Sequence, residues 1–149
     1  MGYIELSTKE FATIIDIFIK KSAVIDNNIS NLKGIHNGFS FDFTHDKLFL
    51  RKYVPLKIIF NNFDENNNIL VLGIALNSEN IIYQNIANKV LTLVSGLINM
   101  KLSEFGCEIR ENLLYFDTNT IAHQTIINSI FTDIKIESSK LSISFELRD

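Results

Sequence analysis

One cysteine, one proline and no tryptophan in 149 residues leave several protein classes without their raw material. Cys107 has no second cysteine to pair with, so neither an intramolecular disulfide nor a two-thiolate zinc site can form. Disulfide scaffolds and zinc ribbons are excluded. The chain also lacks an excess of positive charge: 14 Lys and Arg stand against 17 Asp and Glu, a net charge of −3. Nucleic-acid binding needs clustered cations, and Lys20-Lys21 and Arg51-Lys52 are isolated pairs, so no nucleic-acid partner is expected. No apolar run reaches the roughly 20 residues of a membrane span, because Gln84, Asn85, Asn88 and Lys89 interrupt the longest one, and no transmembrane segment is expected. Met1-Gly2-Tyr3-Ile4-Glu5 has no basic region followed by an apolar stretch, which points to a cytoplasmic protein. Gly2 does not begin a myristoylation motif, since Leu6 stands where Ser or Thr is required. No period of 20 to 50 residues recurs, as a solenoid would demand.

What is present is an ordinary globular composition, 46% hydrophobic, in a chain long enough for one domain over residues 1–149. A chain of this size buries roughly 70% of its unfolded surface. Isoleucine occurs 24 times and asparagine 17 times, the bias that A/T-rich codons produce. The short runs Asn61-Asn62 and Asn66-Asn67-Asn68 read as solvated turns.

Ser7-Thr8-Lys9-Glu10 matches a capping box, which starts a helix whose apolar face is Phe11, Ile14, Ile15, Phe18 and Ile19. The segment from Ser22 to Gly38 shows no sustained period and reads as a connection with room for a short turn of helix or strand. At Phe39 the period becomes two, with Phe39, Phe41 and Phe43 on one strand face. His45-Asp46 then predicts a turn into a second strand, Lys47 to Tyr53. Pro55 lacks an amide donor and belongs at a strand start or on an edge. Leu56 to Phe63 and Ile69 to Leu76 predict a second hairpin about Asp64 to Asn68.

Ser78 is positioned to cap a long helix, Ser78 to Leu102, about 35 Å at 1.5 Å per residue, with the stripe Ile82, Ile86, Val90, Leu93, Leu97 and Met100. Cys107 to Arg110 and Leu113 to Phe116 predict a third hairpin about Glu111-Asn112. Asp117 or Thr118 then caps a short helix carrying Ala122, Ile126, Ile127 and Ile130. The last strand alternates cleanly, with Leu141, Ile143, Phe145 and Leu147 inward, and Ser138-Ser139 turns into it from a short strand at Ile134 and Ile136. The class is α+β: an antiparallel, curved sheet of six to eight strands packed against one long and two shorter helices.

Catalytic and metal chemistry finds little to work with. Ser95-Gly96 lies in a helix pattern, without the strained turn of a nucleophile elbow. Cys107 alternates with Ile109 as a buried strand residue does, and no spacing ties it to a base. His36, His45 and His123 are too widely spread to preform a chelate, even with Asp42 and Asp46 near His45. Gly34 to Gly38 lacks the lysine and hydroxyl of a phosphate loop, and Asp64-Glu65 reads as a solvated turn. No catalytic residue, metal ligand or cofactor is assigned, and the chain is read as non-enzymatic.

The apolar faces carry the functional expectation. The amphipathic stretch Val54 to Leu76, the helix Ile81 to Leu102, the hairpin Cys107 to Asp117, a short helix and the strand Leu141 to Leu147 resemble, in that order, the tubular lipid-binding (TULIP) domains. The resemblance implies a long helix wrapped by a curved sheet around an apolar tunnel, and a lipid or other hydrophobic ligand. The expected ligand contacts are Ile82, Ile86, Val90, Leu93 and Leu97 on the helix, with Phe41, Phe60 and Phe145 on the sheet. The alternative is an interaction or assembly module with a filled core, which pairs with a protein partner or a second copy through an edge strand near Pro55 or the exposed part of the first helix.

Overall fold

The computed structural model describes residues 2–21, 29–44, 53–81, 84, 87–101, 103, 106–123 and 129–147. The chain begins with a strand, β1 (Gly2–Ser7), that the sequence pattern does not announce. Helix α1 (Thr8–Lys21) follows directly, and the capping box is formed. The Glu10 amide donates to Ser7 Oγ at 3.0 Å, and the Ser7 amide donates to Glu10 Oε1 at 3.1 Å. Its buried face is Thr8 and Ala12 with Phe11 and Ile15. Ile14 is 51% exposed rather than core-facing, because at 100° per residue it lies on the far side of the helix from Ala12. Side chains of Phe18 and Ile19 lie outside the described residues.

The stretch expected as a connection with a short turn of helix or strand contains a seven-residue strand, β2 (Ile29–Ile35), whose alternation is broken by a bulge between Ser30 and Lys33, where Asn31 takes a φ of 53°. His36 and Asn37 turn it into β3 (Gly38–Phe43), where Phe39, Phe41 and Phe43 are all buried as the alternation predicts. The partner of β3 is β4 (Val54–Asp64), with Phe43 opposite Val54. Strand β3 lies between β2 and β4, and the expected strand Lys47 to Tyr53 falls, except for Tyr53, outside the described residues. Pro55 is the second residue of β4, a strand start where its carbonyl accepts the Asn77 amide. The strand itself is interior, between β3 and β5 (Ile69–Leu76), so among the described residues Pro55 does not lie on a sheet edge.

Helix α2 (Ala87–Lys101) is the described part of the expected long helix, with Ile81 and Gln84 helical upstream of it. Its 15 residues span about 22 Å, and the expected helix residues 82, 83, 85, 86 and 102 lie outside the described residues. The hairpin of β6 (Cys107–Arg110) and β7 (Leu113–Asp117) forms as expected, with Glu111 at a φ of 57° in its turn. Helix α3 (Thr118–His123) starts where Asp117 Oδ1 accepts the Asn119 amide at 3.0 Å. Ile130 belongs to β8 (Ser129–Glu137) and not to this helix, while 124–128 lie outside the described residues. Ser138 and Ser139, both with positive φ, turn β8 into β9 (Lys140–Leu147). Leu147 is 64% exposed rather than inward.

The strands form two antiparallel sheets, not one of six to eight: β1-β9-β8 and β2-β3-β4-β5-β7-β6. Helix α1 packs on β2 and α2 on β6 and β5, while β8 packs against β4. All of them contribute to one core cluster, in which Phe43, Val54, Leu56 and Val90 are the most deeply buried apolar side chains. Among the described residues, hydrogen bonds join the sheets at two places. The Thr8 amide donates to Ser139 O at 2.9 Å and the Ser139 amide to His36 O at 2.8 Å. At the other joint Asn68, at a φ of 56°, donates from Nδ2 to Phe131 O and accepts at its carbonyl from the Thr118 amide and hydroxyl. Among the described residues no helix is long and apolar enough to cross a membrane.

Candidate functional site

The residues expected to hold a ligand divide into three groups. Phe41 and Val90 are core residues at 6% and 0% exposure, and Phe60 and Leu93 pack against the same cluster. Phe145 lies apart from that cluster, directly opposite Gly2 in the β1–β9 register. A side chain at Gly2 would collide with its ring, so the glycine leaves the space the ring occupies. Ile82 and Ile86, and the side chain of Leu97, lie outside the described residues.

A concave surface lies on the other side of the six-stranded sheet. The bulge between Phe60 and Asn62 leaves Asn61 as the extra residue, which keeps Phe63 on the core face and puts Asn62 and Asp64 on the outer one. In register across the strands, Asn62, Val71, Tyr115 and Glu108 make one outward row, and Asp64, Ile69 and Asp117 make the next. Residues directly opposite each other share a face, and the flanking Leu70 and Leu72 point into the core, so both rows face away from it.

These rows line an open groove of 710 Å³, closed at the β6 end by Asn99, Ser103, Gly106 and Cys107. That volume lies within the roughly 300–1,000 Å³ of small-molecule sites. Val71 forms its floor: 8% exposed, it is buried on the face that the core does not use. The rim is charged. Arg110 lies 4.3 Å from the centroid of the Tyr115 ring and 3.5 Å from Glu108 Oε1, a solvent-exposed pair of small energetic weight. Asp64 Oδ2 accepts from the Asn67 side-chain amide and Oδ1 from the Asn66 and Asn67 backbone amides; the bonds from Asn67 come first in holding its carboxyl below the usual range. Three carboxylates, Asp64, Glu108 and Asp117, thus share the groove with one guanidinium.

Groups that could carry covalent chemistry are placed otherwise. Burial pushes the Cys107 thiol up to about 12, which keeps it protonated and a poor nucleophile at neutral pH. His36 sits in the exposed β2–β3 turn, His123 ends α3, and His45 lies outside the described residues. Among the described residues no group of three or more His, Cys, Asp or Glu is placed to hold a metal ion. The groove was missed because its signal is two-dimensional: Asn62, Val71, Tyr115 and Glu108 come from four strands and meet only once the register is known. Comparison with family models, curated proteins and solved structures finds no match to this chain.

Proposed function

We propose that the chain is a non-enzymatic binding domain for a small amphipathic molecule with an apolar body and a cationic head, held in the outer groove of the six-stranded sheet. The observation that carries the reading is Val71, an apolar floor recessed below a polar rim on the face away from the core. Ile69 and Tyr115 extend that floor, and contact with them removes the ligand's apolar body from water at about 25 cal/mol per Å². The excess of carboxylates over Arg110 selects a positive head, and each carboxylate keeps acceptor capacity beyond its bonds within the chain. The ligand class expected from the sequence, a hydrophobic molecule, is retained in part, while the site moves from the helix–sheet space to the outer face.

An NMR titration with octylamine and, separately, octanoate tests this. The reading expects amide shifts at Val71, Tyr115 and Glu108 with the amine and much smaller ones with the acid. Shifts confined to Val90 and Leu93, or none that map to a single surface, would overturn it.

A further inference from the structure

Sheet edges expose unpaired amides and carbonyls, and proteins ordinarily cover or distort them to prevent pairing with another chain. Three of the four edges in this structure are managed in that way. Strand β2 is bulged between Ser30 and Lys33 and lies under α1. Strand β6 is closed by Asn99 of α2, which accepts the Ile109 amide at 2.9 Å and donates to the Ile109 carbonyl at 3.3 Å. Strand β8 is bulged between Phe131 and Asp133, lies against α3, and gives its Phe131 carbonyl to Asn68.

Among the described residues the fourth edge carries no bulge, although α1, which follows it directly in the chain, packs against it. Strand β1 runs in unbroken register with β9 from Gly2 to Ser7, contains no proline and no lysine, and among the described residues no strand pairs with its other side. It is also apolar where it meets solvent, with Tyr3 60% and Ile4 44% exposed. The neighbouring α1 adds Ile14 and Ile17, each about half exposed.

We propose that β1 pairs antiparallel with β1 of a second copy of this chain, about a two-fold axis through Ile4, joining the two three-stranded sheets into one of six strands. The occupant follows from the self-complementarity of the strand. Centred on Ile4, the pairing sets Ile4 opposite Ile4, and Tyr3 of each chain opposite Glu5 of the other. Tyr3 and Glu5 already bond to each other within one strand, hydroxyl to carboxylate at 2.7 Å, so the cross-strand neighbours are matched donor and acceptor. A centre at Glu5 would oppose two carboxylates, and a centre at Tyr3 would leave Glu5 opposite no residue of β1.

Sedimentation velocity over a wide concentration range, run on the full chain and on Ile4→Lys, is the test. The full chain should shift from one chain to two with concentration, and Ile4→Lys should weaken the association at least about tenfold while the variant remains folded. Register is tested by Ile4→Cys: directly opposite Cα atoms lie about 4.5–5.5 Å apart, within reach of a disulfide, so oxidation should link two chains. The same treatment of Ile14→Cys should not. A chain that stays monomeric throughout, a dimer indifferent to Ile4→Lys, or cross-linking at Ile14→Cys but not at Ile4→Cys overturns the proposal.

Discussion

A side chain at Gly34 would collide with the backbone of Thr8 and Lys9, because the first turn of α1 rests directly on β2 at that point. Gly34→Ala therefore forces the helix away from the sheet and should cost about 1–3 kcal/mol, measured as a lower urea midpoint at unchanged slope. Cys107 makes a prediction in pH. Its thiol is pushed from an ordinary value of 9.0 to about 12 by burial, so in that window the unfolded chain loses a proton that the folded chain keeps. The stabilisation is complete below pH 9 and declines as pH rises, by about 1.4 kcal/mol per unit, until the folded thiol also ionises. Urea unfolding of the full chain and of Cys107→Ala should show this steeper alkaline loss only in the former.

Elements were legible where the signal is local. The capping box at Ser7 and Glu10, the alternation Phe39 to Phe43 and the Glu111-Asn112 turn each specify structure within a few residues, and each is formed. Strands β1 and β2 were not legible. The first depends on β9, more than 130 residues away, and the bulge at Asn31 hides the period of the second. Asn99 belongs to the same lesson, since it sits on an exposed helix position and yet substitutes for a missing neighbour strand beside Ile109. Asn99→Ala leaves a strand amide and a carbonyl without these partners and should cost about 1–3 kcal/mol, with faster amide exchange at Ile109 as its local signature.

At the scale of the molecule, hairpins identify sequential neighbours but do not say which distant strands meet, so one sheet and two sheets are equally consistent with the pattern. The division into β1-β9-β8 and β2-β3-β4-β5-β7-β6 rests on long-range pairings, and Asn68 is one place where the halves are bonded together. Asn68→Gly keeps the backbone of that joint but loses the bond to Phe131. Asn68→Ala loses the same bond and also strains a left-handed φ, so it should melt lower, by about 1 kcal/mol in stability. The candidate site is also a property of the whole sheet, since four strands must be in register before Val71 has a rim around it. Calorimetric titration of octylamine into the full chain, Tyr115→Lys and Leu93→Ala is the most direct test of that assignment. A groove on the outer face predicts that Tyr115→Lys, which adds a positive charge to its floor, weakens binding at least about tenfold, or 1.4 kcal/mol, while Leu93→Ala leaves it nearly unchanged. Binding lost in Leu93→Ala and kept in Tyr115→Lys would contradict it.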